Sequence, residues 1–422
     1  MPALVLALLG VAAGPALAAP LSLHEAERLA FADDPGAVAL RARADAARER
    51  AVADSQLPDP VVSMAAMNFP VDTLAFDQEP MTQVRLGIRQ QFPGGDTLAQ
   101  RRALREAEAG RFDASTTLRR LQVLRAVRIA WLDLGGLLRE RQLIEEAQPL
   151  LADLEATVLA GYRQGAGAQQ DVLRARLELD GLDDRLLRNQ AAVDVARAEL
   201  ARWIGPAAYT AEPGGARDLV AHAGERSPQE VEGMLLAHPA IAVHAARIGE
   251  EDAQIGLAEA AYSPDWGLEI AYGIRDELSP VGDRPDFLSA AVTFDLPLFQ
   301  GRRQDRGLAA AQFGREAARA TRLDALRELQ RDWHMERARH ARLDERLALF
   351  MTRVIPHAQQ TAEAARRAFG TDAADFPEVM RTALATLDAR IEQERMRFDL
   401  YRSAARLQFL VADDLAPEAH PS

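Results

Sequence analysis

The sequence predicts a mainly α protein with a small β part, built from two internal repeats that each hold long antiparallel helices and one β-hairpin. Three observations predict it. First, landmarks recur about 205 residues apart: Asp34-Pro35 returns as His238-Pro239 and Phe92-Pro93 as Leu296-Pro297 at an offset of 204, then Pro149 as Pro356, Tyr162 as Phe369 and Asp171 as Glu378 at 207. A solenoid would repeat at a shorter period. Second, each half carries a pair of strand-like stretches, three of the four with clear period-two alternation. Third, Thr97 to Ala160 and Arg302 to Ala368 are rich in Ala, Arg, Leu and Glu, with Pro149 and Pro356 as the strong breakers.

In chain order, residues 1–19 read as a signal peptide: an apolar run from Ala3 to Leu9 leads to the small residues Ala16, Ala18 and Ala19. A buried N-terminal helix is the other reading of this run. No Cys follows, so no N-terminal lipid anchor is expected. The first repeat occupies 20–205, a linker 206–226, the second repeat 227–415 and a tail 416–422. Each repeat opens with a short helix (Ser22 to Ala32; Ser227 to Ala237) and a second one starting at a proline (Pro35 to Gln56; Pro239 to Tyr262). Strands follow at 61–69 and 81–92, then at 266–274 and 287–298. The long helices come next; at ~1.5 Å per residue the first spans nearly 100 Å. Matched prolines are expected to kink both at the same place. Glycine-bearing tips at 161–170 and 369–377 turn the chain into return helices, Asp171 to Trp203 and Glu378 to Val411.

Alternation separates two faces of the strands. Val84, Leu86, Ile88 and Phe92 fall opposite Arg85, Arg89 and Gln91; Trp266, Leu268, Ile270 and Tyr272 fall opposite Asp265 and Glu269. Such lengths suit tilted membrane strands of ~9–11 residues, and the connecting loops are polar and proline-bearing. Four strands cannot close a barrel, and open edges are not tolerated in hydrocarbon. Several copies must then share one barrel; three would supply twelve strands. Arg85, Arg89, Glu269, Arg275 and Asp295 would face its lumen. A small soluble sheet packed on helices is the alternative.

Composition excludes several chemistries. There is no Cys, so disulfides and thiolate metal sites are absent. The net charge of −13 argues against nucleic acid as a partner. There is no Lys, hence no phosphate-cradling loop of the usual kind, and His24-Glu25 lacks the second His of a zinc-protease helix. The sequence predicts no enzyme, no cofactor and no metal site. Met64, Met67 and Met81 could contact soft metals, or simply pack.

The tips carry the candidate functional residues. Asp171 and Glu378 lie at the start of the return helices, with Asp372 and Asp375 beside the second. Acids there offset the helix dipole, and Asp375 with Glu378 fits a capping box.

Tyr162-Arg163-Gln164-Gly165 followed by Asp171-Val172-Leu173 resembles the periplasmic tip motif of TolC-like outer-membrane efflux proteins, and the likeness covers Leu21 to about Leu415. The second tip departs from it, with Phe369-Gly370 and Glu378-Val379-Met380. Leu57-Pro58-Asp59-Pro60, Pro80-Met81-Thr82-Gln83 and Gln90-Gln91-Phe92-Pro93 resemble the CzcC/CusC-type heavy-metal branch. The resemblance implies a homotrimer with a 12-stranded β-barrel in outer-membrane lipid, continued by a periplasmic α-helical barrel. It also implies a periplasmic adaptor and an inner-membrane pump of the resistance-nodulation-division type as partners. Asp171, Glu378, Asp372 and Asp375 become gate candidates, and Tyr162, Gly165, Phe369 and Gly370 adaptor-contact tips. A duct for drugs or secreted peptides, and a soluble periplasmic coiled-coil scaffold, are the competing functional readings.

Overall fold

The computed structural model describes residues 21–32, 34–165, 167–214, 219, 226–275, 284–371 and 373–413. The expected signal peptide, the tail and Asp372 lie outside the described residues. The first repeat forms α1 (Leu23–Ala32), α2 (Pro35–Asp54), β1 (Val61–Met67), β2 (Gln83–Phe92), α3 (Thr97–Arg163) and α4 (Gln169–Ile204). The second forms α5 (Pro228–Leu236), α6 (Pro239–Ala260), β3 (Asp265–Ile274), β4 (Phe287–Asp295), α7 (Gln304–Leu349), α8 (Ile355–Phe369) and α9 (Phe376–Leu410).

The chain divides into two compact units, and each draws on both repeats. One comprises Met1–Pro35, Arg119–Leu235 and Leu329–Ser422; the other comprises Gly36–Leu118 and Leu236–Glu328.

The first unit is helical. Its core joins the ends of α3 and α8 to the starts of α4 and α9: Val158, Val172, Ala175, Ala365, Phe376, Val379 and Met380 are buried together. A second cluster packs Ala26 and Ala30 of α1 on Val127, Trp131 and Leu134 of α3 and on Val193 and Leu200 of α4. Small residues on α1 allow that close approach. Buried charge is compensated: the Arg128 guanidinium donates to Glu27 at 2.6 Å and to Gln408 at 2.9 Å. α5 opens with a true capping box, in which the Ser227 amide donates to the Glu230 carboxylate at 2.8 Å and the Glu230 amide to Ser227 Oγ at 3.3 Å.

The prolines behave differently from each other. Pro149 lies inside α3, which runs unbroken through it. Pro356 follows a π-helical turn, Phe350–Val354, flanked by Leu349 and Ile355 with helical backbone angles, so α7 passes into α8 through a π-bulge. The matched prolines are therefore accommodated differently: α3 runs through Pro149 as regular helix, whereas the helix ahead of Pro356 takes on a π-helical turn.

The second unit contains one antiparallel sheet in the order β1-β2-β3-β4. The two repeats meet at β2–β3, where Val84 pairs with Ile274 and Phe92 with Trp266. The Phe92 and Trp266 rings stack 4.1 Å apart. β1 and β4 are free edges. His238 caps α6 by accepting the Ala240 amide on Nδ1 at 3.1 Å, a role that requires the neutral imidazole.

Candidate functional site

The register sorts the sheet into two chemically distinct faces. On one side stand Val62, Met64, Leu86, Ile88, Leu268, Ile270, Tyr272, Leu288, Val292 and Phe294. All are exposed, Met64 to 78% and Leu288 to 76%. A continuous apolar face left in the open marks a surface meant for another apolar phase or partner.

The other face is small and polar. Arg89 lies directly opposite Glu269 in the register. Its Nε and Nη2 donate to Glu269 Oε2 at 3.0 and 2.5 Å, while Arg85 Nη2 donates to Oε1 at 2.7 Å. One carboxylate thus bridges two guanidiniums. Gly87 makes room for this: a Cβ there would meet Ser63 Oγ at 2.9 Å and Glu269 Oε1 at 3.6 Å. Asp295 sits at the rim, opposite Asp265. Arg275 lies just past β3. Its guanidinium donates to the Pro285 and Pro80 carbonyls, at 2.9 Å and 3.1 Å, and covers the Phe287 ring at 4.0 Å. It therefore ties two loop ends together, and its backbone N–H donates to Asp286 Oδ1 at 2.9 Å.

The first tip is built for exposure. α3 ends at Arg163, and Gly165 turns the chain at φ +73°, a conformation glycine adopts without strain. Tyr162 is 43% exposed. The N-cap of α4, Ala168, offers no side-chain bond, and Asp171 stands in the first turn, half-buried. Among the described residues its carboxylate has no ion-pair or hydrogen-bond partner.

The second tip is tighter. Phe369 meets Phe376 edge-on at 6.3 Å. Gly370 keeps an ordinary φ of −66° and donates to the Arg366 carbonyl at 3.2 Å. Asp375 is the N-cap of α9 but makes no side-chain cap bond. The expected capping box with Glu378 does not form, because Arg381 takes the carboxylate in a two-pronged pair, Nη2 to Oε1 at 2.5 Å and Nε to Oε2 at 3.0 Å. The guanidinium holds the Glu378 carboxyl below its ordinary range. Arg381 was readable in principle, since an acid and a base three apart on a helix face each other. The interhelical bridges Arg185–Asp388 at 2.7 Å and Arg395–Glu140 at 2.6 Å have no such local signal.

No helix among the described residues is long and apolar enough to cross a membrane, and none of their His, Asp and Glu side chains group as a metal site. No protein-family profile and no curated protein matches the chain. Solved structures do. The channel protein CusC superposes with a TM-score of 0.76 at 14% identity, over 92% of each chain. The outer membrane protein VceC of Vibrio cholerae gives 0.75 at 16%, over 92% of this chain and 95% of that one. The MtrE outer membrane channel of Neisseria gonorrhoeae, in its open state, gives 0.70 at 14%, over 93% and 89%. This mainly α chain with its small antiparallel sheet thus has the fold of these solved outer-membrane channels.

Proposed function

We propose that the protein is an outer-membrane exit duct that does no covalent chemistry. The two-faced sheet with free edges carries this reading. An apolar outer face and a charged, small-residue inner face are what a barrel wall needs, and three chains would close twelve strands around a water-filled lumen lined by Arg85, Arg89 and Glu269, with Asp295 and Arg275 at its rims. A soluble periplasmic scaffold would have no use for such an exposed apolar sheet. The tips, Tyr162 to Gly165 and Phe369 to Gly370, would meet a periplasmic adaptor. An inner-membrane pump of the resistance-nodulation-division type would supply the energy. Heavy-metal cations are the favoured cargo, on the branch motifs around Leu57, Pro80 and Gln90; drugs or peptides are the rival cargo.

Three copies of Asp171 would form a ring of unpaired carboxylates that attracts cations, with Glu378 and Asp375 secondary to it. The test is single-channel conductance of the detergent-extracted protein in a planar bilayer, with divalent cations titrated on the tip side. Discrete openings blocked by divalents are expected. Openings without block would discard the acidic ring, and a protein that stays soluble without detergent and never inserts would overturn the duct.

A further inference from the structure

The chain leaves β4 through Leu296, Pro297, Leu298 and Phe299, turns through Gln300–Arg302 and enters α7 at Gln304. Leu296, Leu298 and Phe299 are exposed, Phe299 to 86%. Leu296 and Leu298 keep the parity of the apolar side of β4 beyond its last paired residue, Asp295, and Phe299 follows them. Arg302, Arg303 and Arg306 follow at once, all exposed. Among the described residues none of these three guanidiniums has an ion-pair or hydrogen-bond partner. The acid beside them, Asp305, accepts the Tyr262 hydroxyl at 2.5 Å instead.

The same junction in the first repeat is sealed. Phe92 stacks on Trp266, and the Gly94 amide donates to Asp265 at 2.6 Å. Arg102 pairs with Glu106 at 2.7 Å, and Arg105 with Asp54 at 2.8 Å and Glu108 at 3.0 Å; Arg101 alone stays unpaired. In a chain with net charge −13, three adjacent uncompensated arginines behind three exposed bulky apolar side chains form a local exception.

We propose that the β4–α7 junction, Leu296 to Arg306, is an anchor for anionic phospholipid. The proposal rests on the outer-membrane reading. Leucine and phenylalanine bury at the boundary of acyl chains and headgroups, while guanidiniums bind phosphate oxygens in two-pronged fashion. A headgroup with net negative charge is preferred over a zwitterionic one, because the latter brings its own cation. Asp295 just before the segment and Asp305 within it limit the field to a narrow patch.

The test uses the full-length protein reconstituted into vesicles of phosphatidylcholine alone or mixed with phosphatidylglycerol, followed by native mass spectrometry of the lipid each assembly retains. Wild type should retain phosphatidylglycerol in preference. Each of Arg302→Gln, Arg303→Gln and Arg306→Gln should weaken that preference about fivefold, the equivalent of ~1 kcal/mol per arginine near a charged surface. Salt at ~1 M, where screening acts within about 3 Å, should abolish it in wild type. An undiminished preference in the triple variant would overturn the anchor. So would a triple variant that dissociates on a native gel, since the junction would then be covered by a neighbouring copy at the free edge of β4. Insertion into neither vesicle would remove the outer-membrane reading itself and the anchor with it.

Discussion

The two hairpin tips occupy matched places in the repeat, 207 residues apart, yet they treat the same acid in opposite ways. Among the described residues Asp171 carries an unpaired carboxylate, on a helix without a side-chain cap. Glu378 is clasped by Arg381, and its neighbours Phe369 and Phe376 close the tip with an aromatic contact. Among the described residues the first tip leaves its acid unpaired, while the second pairs its acid and packs two aromatic rings. A carboxylate already paired with a guanidinium has little field left for a passing cation. On the proposed reading, the cation-attracting role would fall mainly to the first repeat.

Removing the packing should have the largest effect. Phe376 is 3% exposed within the tip core. Phe376→Ala should cost about 3–5 kcal/mol locally, seen as faster amide exchange across α8 and the start of α9. Tyr162→Ala, at an exposed position, should leave exchange unchanged and weaken binding of the adaptor only. Equal loss of protection in both variants would erase the contrast between the tips.

The charge comparison comes next. Asp171→Asn should weaken divalent block of the conducting channel about tenfold, ~1.4 kcal/mol. Glu378→Gln should change it by less than about twofold, because the charge it removes is already compensated. If the Glu378 variant had the larger effect, the assignment of roles would be reversed.

Much of this was legible from residues alone, and the misses have physical causes. The 204-residue offset holds from Pro35 and Pro239 to the first residues of β1 and β3, Val61 and Asp265. Alternation found the strands but overran their ends. β1 stops at Met67, not at residue 69, because Asn68 turns to φ +59° and binds the far side of its loop through Met81. β4 stops at Asp295, not at 298, because its partner begins at Asp265, so Leu296 and Leu298 alternate with nothing to pair. Arg275 kept the right parity but fell one residue beyond β3, where loop carbonyls claim it. The tip acids were found by position. Their difference was not, because a capping box and a three-apart ion pair compete for one Glu378 carboxylate, and only packing decides between them. The unequal fates of Pro149 and Pro356 are likewise invisible in a matched pair of prolines.

The finest test of the comparison is to convert the second tip into the first. Arg381→Ala leaves Glu378 without its partner, as Asp171 is. The expected effect is small, about a two- to threefold gain in divalent block. Its pH dependence is more telling than its size. In wild type the guanidinium holds the Glu378 carboxyl below its ordinary range, so the ion pair persists as pH falls and is lost only when pH passes that lowered value. The folded pKa is depressed, so any stability the pair contributes is present above the unfolded value and disappears on acidification. In the Arg381→Ala variant the carboxyl should titrate higher than in wild type, nearer an ordinary Glu, because the hydrogen-bonding guanidinium is gone. The extra block should therefore vanish as the pH is lowered through that range. An added block that is independent of pH would come from some group other than Glu378. No added block at all would mean that Glu378, freed of Arg381, does not face the passing ions, and the two tips would then differ in geometry and not in charge alone.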